Sequence, residues 1–183
     1  MKNCIVAFLF LTLSLPFNLA ASERDVSELS TRERIFVGGF IGAQFGNISV
    51  VSINLHAGYR LTNRLSAGIG GSYQYANYAW FQSASGSHTY GGSVFARYNV
   101  YSEFFLHAEA EMLSLQSRLP SFDVSPPDRQ RISERNYLVG AGYGFPVSER
   151  IRLNMLLLYN INDGSKAYLD NPFFRIGIDV YLF

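Results

Sequence analysis

The residues of this chain with chemistry to offer are charged side chains spaced by two within apolar or glycine-rich runs. His107, Glu109 and Glu111 share one such run, and Arg175 and Asp179 share another. Arg60, Arg97 and Arg152 are each the charged member of a further run, with His56 and Gln74 as uncharged polar companions. A period of two marks a strand, whose successive side chains point to opposite faces, so each of these groups belongs to one strand face. Brought into one interior, the arginines and carboxylates would pair as charge-assisted hydrogen bonds. A metal reading of His107, Glu109 and Glu111 is weaker, because same-face neighbours lie ~7 Å apart along a strand and converge poorly on one ion. A structural network is therefore expected, with no metal, no cofactor and no catalytic residue.

The elements that must carry these groups read as eight strands: Ile35 to Phe45, Val51 to Leu61, Leu65 to Tyr75, Tyr90 to Val100, Phe104 to Met112, Tyr137 to Phe145, Ile151 to Tyr159 and Phe173 to Leu182. In the second, for example, Val51, Ile53, Leu55, Ala57 and Tyr59 alternate with Ser52, Asn54, His56, Gly58 and Arg60. Wherever a strand carries a charge it falls on the second face, and none falls on the apolar one. Alternation alone does not decide which face is outside, since a soluble barrel would turn its charges to water.

Three features decide it. Connections alternate between short (Thr62–Arg64, Tyr101–Ser102, Pro146–Arg150) and long (Asn77–Thr89, Leu115–Arg135, Ile161–Asn171), the two-ended layout of a transmembrane barrel. Aromatics such as Tyr59, Tyr73, Tyr98, Tyr137 and Tyr159 gather near strand ends on the apolar face, the level of lipid headgroups. Glycines such as Gly58, Gly68, Gly142 and Gly177 lie on the charged face, where a narrow lumen would need their volume for long Arg and Glu side chains. The expected fold is all-β, an eight-stranded antiparallel up-and-down transmembrane β-barrel with strands of about 9 to 12 residues, the tilted length that crosses a bilayer.

Composition agrees. Of 183 residues, 48% are hydrophobic and only 16% charged, too apolar for a disordered chain, and apolar runs of helix-spanning length do not recur. Fifteen Lys and Arg against fourteen Asp and Glu leave no net field to gather nucleic acid. Lys2, the apolar run from Ile5 to Leu15 and the small residues Ala20-Ala21-Ser22 read as a cleaved signal peptide over 1–22, with Cys4 the only cysteine. A polar periplasmic segment over 23–34 then precedes the barrel over 35–183.

These features resemble the small outer-membrane β-barrels of Gram-negative bacteria, similar to the OmpA transmembrane domain and OmpX. The likeness is carried by the signal peptide, the repeated glycine-rich amphipathic strands, Tyr59-Arg60-Leu61-Thr62-Asn63-Arg64-Leu65 at a short turn, and the terminal Tyr181-Leu182-Phe183. It implies an outer-membrane address with the N-terminus in the periplasm, contact with lipid and lipopolysaccharide, and Tyr181 and Phe183 as the signal read by the barrel-insertion machinery. The outward parity of the last strand runs through Val180 and Leu182 rather than Phe183.

Eight strands exclude a wide porin, and the lumen is expected to be plugged. A structural or surface-interaction role follows, with Trp80, Phe81, Arg118, Arg129 and Arg131 in the long loops as candidate contacts for lipopolysaccharide phosphates or an unknown surface ligand. The stretch from Gln116 to Arg135 reads as loop, because Pro120 and Pro126-Pro127 interrupt it. Two alternatives stand beside this reading. One is a lipid A-modifying enzyme, whose His-x-Ser arrangement is absent here and for which Ser87-His88-Thr89, read as loop, is a poor substitute. The other is a soluble periplasmic ligand-binding barrel with its faces reversed.

Overall fold

The structure, a computed structural model, describes residues 26–28, 30–44, 49–77, 87–101, 103–117, 130–162 and 171–182. The signal peptide assigned to 1–22, the contact candidates Trp80, Phe81, Arg118 and Arg129, and the terminal Phe183 lie outside these residues. Eight strands follow one short 3-10 turn at Val26–Glu28: β1 (Ile35–Gln44), β2 (Ser49–Arg60), β3 (Leu65–Asn77), β4 (Ser87–Tyr101), β5 (Phe104–Ser117), β6 (Gln130–Pro146), β7 (Ile151–Asn160) and β8 (Phe173–Tyr181). Each pairs antiparallel with its sequence neighbours, and β1 pairs with β8 to close the barrel. No helix among the described residues is long and apolar enough to cross a membrane, which says nothing of strands.

The closing seam runs from Phe36 opposite Tyr181 to Gly42 opposite Arg175, and Leu182 N–H donates to Ile35 O at 2.9 Å beyond it. Two turns at this end repeat one device. The Thr62 hydroxyl accepts from Leu65 N–H at 2.9 Å, and the Ser148 hydroxyl from Ile151 N–H at 3.2 Å, so in each a side-chain oxygen helps to reverse the chain. Val26 is buried against this end, its N–H donating to the Asn63 side chain at 2.6 Å. Short turns and both flanking segments thus share one end of the cylinder; the opposite, loop end carries the connections 45–48, 78–86, 118–129 and 161–172.

The apolar face points outward. Leu55 is 66% exposed, Ile69 65% and Ile41 63%, while Arg175 and Asp179 are 2% and 1% exposed. A soluble barrel would have the reverse. Inside, Phe36, Phe40, Phe105, Leu113, Leu138, Leu156 and Leu158 are buried together with these charges.

Three expectations need correction. Strands run from 9 to 17 residues, because β3 to β6 extend past the apolar band toward the loop end. Gln130–Asn136 therefore belongs to β6 and pairs with Glu111–Ser117, so Arg131 and Arg135 sit on a strand and not in a loop. This stretch is polar on both faces and lacks the hydrophobic alternation that marks a strand, yet its backbone ladder continues. Likewise Ser87-His88-Thr89 opens β4, paired with Gln74–Ala76 of β3.

The third correction concerns the inward glycines: Gly38, Gly42 and Gly144 lie against Asp179, Arg175 and Arg152 as expected, but four others give their space to phenylalanine rings. Phe36 lies opposite Gly58, Phe40 opposite Gly177, Phe95 opposite Gly68 and Phe105 opposite Gly142, and a Cβ at each glycine would run into the ring facing it. A ring folded over a cross-strand glycine covers the bare backbone and fits a lumen too narrow for two large side chains. Replacing Gly68 with Leu should overpack this layer and cost about 1–3 kcal/mol. Urea unfolding of the full chain in detergent micelles checks it, and unchanged stability would show that Phe95 is not confined there.

Candidate functional site

The centre of the lumen holds a chain of six side chains drawn from β2, β4, β5 and β8. Asp179 accepts from Arg97 Nη1 at 2.5 Å on one oxygen and meets His56 Nε2 at 2.6 Å on the other. Arg97 Nε donates to His107 Nδ1 at 3.4 Å, His107 Nε2 meets Glu109 Oε2 at 3.3 Å, and Arg175 Nη1 donates to the same Glu109 oxygen at 2.8 Å. His56, Asp179, Arg97, His107, Glu109 and Arg175 form one continuous network across the barrel, in which His56–Asp179, Arg97–Asp179 and Arg175–Glu109 link walls that share no backbone ladder.

The surroundings of Arg97 explain how a guanidinium is held there. Its Cζ lies 4.9 Å from the Phe95 ring centroid, 5.2 Å from Phe40, 5.5 Å from Phe105 and 5.6 Å from Phe36. These are the rings that the four cross-strand glycines admit. Their π-faces replace part of the lost hydration of the cation, each such contact being worth roughly 0.5–2 kcal/mol. The imidazoles are packed in the same way, His56 stacked on Phe40 at 5.0 Å and His107 on Phe95 at 5.6 Å. A flat cation, flat imidazoles and flat rings thus share the lumen in layers. Lysine, a compact and strongly hydrated point charge, could not stack this way.

The remaining inward polar residues are distributed along the axis. Arg60 lies over the Tyr181 ring at 5.8 Å near the turn end, and Arg152 is in register with Asp179 and lies against Gly144. Toward the loop end, Glu111 is 2% exposed and Gln74 4%. There, Asn160 donates to Asn136 Oδ1 at 3.0 Å. Tyr181 faces inward and pairs with Phe36, while Val180 takes the outward parity.

Two parts of the lumen were not legible as a site. The phenylalanine cage is one. The other is an apolar block of Leu113, Leu138, Leu156, Leu158 and Phe173, buried on the β5–β8 side and continuous with Phe40 and Phe105. The facing of each phenylalanine by a glycine was a usable signal, but it depends on strand register, which the sequence does not state. His107 and Glu109, two apart on one strand face, do meet at 3.3 Å, because both side chains lean toward the barrel axis. Among the described residues no group of three His, Cys, Asp or Glu is placed to hold a metal ion.

The arrangement defines a class: a closed antiparallel eight-stranded barrel, apolar outside, with its lumen occupied by caged ion pairs and packed rings. It is the architecture that the resemblance to small outer-membrane barrels implies. No protein-family model matches the chain, and no curated protein does. Among solved structures it is similar to neisserial surface protein A (15% identity, TM-score 0.49, covering 80% of this chain and 95% of that one). It is also similar to the Yersinia pestis outer membrane protein Ail (14%, TM-score 0.48, 81% and 99%). A third likeness is to the N-terminal β-barrel domain of Pseudomonas aeruginosa OprF (13%, TM-score 0.40, 81% and 96%).

Removing one member of the buried pair should be far costlier than removing the pair. Asp179→Ala, which strands Arg97 among four rings, is expected to lose about 3–5 kcal/mol of stability, and an apolar double replacement such as Arg97→Met with Asp179→Leu should recover much of that. Denaturant unfolding of the two variants and the wild-type chain checks this; additive losses would mean the groups are not coupled.

Proposed function

We propose that this chain is an integral protein of the bacterial outer membrane, with the turn end and N-terminus periplasmic and the loop end outside. Its role is structural or surface-interacting, not catalytic and not that of a wide porin. The observation that carries this reading is the inversion of faces on a closed ladder: an apolar outer wall all round the cylinder, with the charges sealed within. In water such a wall far exceeds the exposed apolar patch that a soluble monomer tolerates. In hydrocarbon it is the favoured surface, and closure satisfies the backbone groups that lipid cannot.

The plugged reading draws support from the caged arginine and the leucine block, which adjoin through Phe40 and Phe105 inside a cylinder whose eight strands enclose a narrow interior. The non-enzymatic reading draws support from the outward face. A hydrolytic site there would need an acid to orient its histidine, and the described outward strand positions carry no Asp or Glu. The barrel-insertion machinery would be the partner during biogenesis, reading Tyr181 and Phe183.

A charge on the outer wall separates membrane from water. Leu55→Arg, midway along β2 and facing outward, should destabilise the barrel in phospholipid vesicles by about 2–4 kcal/mol. The same change would be neutral or solubilising for a soluble barrel. Fractionation of cells completes the test: mature protein recovered in the periplasm without detergent would overturn the membrane reading.

A further inference from the structure

The outward strand face is free of charge with one localised exception. Across the described outward positions of β1 to β8, the charged side chains are Arg131 and Arg135, both on the loop-end extension of β6, and the one imidazole is His88 on β4. All three are exposed. They stand at the loop-end margin of the apolar band, beyond Tyr137 on β6 and Tyr90 on β4.

Register and contacts bring them onto one side of the barrel. Tyr73 pairs with Tyr90 and Tyr75 with His88 across β3 and β4, and Tyr90 pairs with Ser114 across β4 and β5. Gln116 pairs with Arg131 across β5 and β6. Arg131 reaches back over β5 to lie on the Tyr90 ring, its Cζ 4.4 Å from the centroid. Tyr73 OH and His88 Nδ1 are 2.6 Å apart, and Tyr75 packs against the same imidazole at 5.3 Å. In the tautomer in which the phenol donates to Nδ1, the neutral imidazole carries its proton on Nε2. The rings fix the direction of the cation and of the imidazole, so both are set in place rather than trailing in solvent.

We propose that this patch is a binding site for the phosphorylated headgroup of an outer-leaflet lipid, held by Arg131, Arg135 and His88 against the aromatic floor of Tyr73, Tyr75 and Tyr90. The proposal rests on the outer-membrane reading above, which places the loop-end margin at the headgroup level of the outer leaflet. Arginine grips phosphate through paired N–H donors, and the described outward strand positions around the patch carry no carboxylate, Glu134 having the opposite parity on β6. The patch spans β3 to β6, roughly 14 Å at the usual strand spacing, which suits a headgroup bearing more than one phosphate. It does not extend to β7 and β8, whose outward positions are apolar, so lipid of this kind would be held on one flank only.

The test uses the full mature chain in phosphatidylcholine vesicles carrying bisphosphorylated lipid A, or the same lipid with both phosphates removed. Lipid retained on the affinity-captured barrel is measured after mild detergent extraction, and folding is followed separately by heat-modifiable gel mobility. The wild-type barrel is expected to retain the phosphorylated form at least about tenfold better than the dephosphorylated one. R131Q/R135Q should abolish that preference with gel mobility unchanged, whereas R150Q, the loss of one arginine at the opposite end, should leave it intact. Equal retention of the two lipids by folded wild-type protein, or an unaltered preference in R131Q/R135Q, overturns the headgroup site and leaves the membrane reading standing. Failure of the wild-type chain to insert overturns the membrane reading, and the site with it.

Discussion

The pairing of β1 with β8 is the constraint on which the rest of the molecule depends. An open sheet of these strands would present two rows of unpaired N–H and C=O groups, tolerable in water and prohibitive in hydrocarbon. Once the seam from Phe36–Tyr181 to Gly42–Arg175 is made, no edge remains, and the outer wall is free to be apolar throughout. Closure also confines everything on the other face. The inward side chains of eight strands must fill one narrow cylinder, so their sizes are no longer independent of one another.

That confinement explains why the lumen is not simply ionic. Each of Phe36, Phe40, Phe95 and Phe105 occupies room ceded by a glycine on the neighbouring strand, and together the four rings line the position that Arg97 takes. The charge network then runs along the rings rather than through water. Its members come from β2, β4, β5 and β8, and the bonds that Asp179 and Arg175 of β8 make to β2, β4 and β5 brace walls that the backbone ladder does not connect directly. The desolvation cost of a buried ion pair is repaid only with good geometry and further hydrogen bonds, and Asp179 has both an arginine and a histidine on its two oxygens.

The two ends of the cylinder differ in the same physical terms. At the turn end, Thr62 and Ser148 close tight reversals with their own hydroxyls, and the polar lead-in docks through Val26 and Asn63. At the loop end, β3 to β6 outlast the apolar band. The outward side chains change there from Val139 to Tyr137 and then Arg135 on β6, and from Val94 to Tyr90 and then His88 on β4, following the sequence of environments from hydrocarbon through interface to headgroup in the membrane reading.

The sequence by itself determined the strand count, the inward and outward parity of each strand, and the location of Arg97, Arg175, Glu109 and Asp179 inside. Strand count and parity depend on a period of two, a local property, and the choice of the charged face as the inner one came from the alternating connection lengths, the aromatics near strand ends and the inward glycines. It also marked the ends through Thr62-Asn63-Arg64 and the aromatic clusters. Only the tertiary structure decided which charges meet, because pairing between β4 and β8 or β5 and β8 depends on register, tilt and closure, none of which is encoded in any one strand. For the same reason the glycines were legible as space but not as space for phenylalanine. The polar extension of β6 was hidden as well, since its strand character comes from continuing the ladder of β5 and not from an alternation of its own.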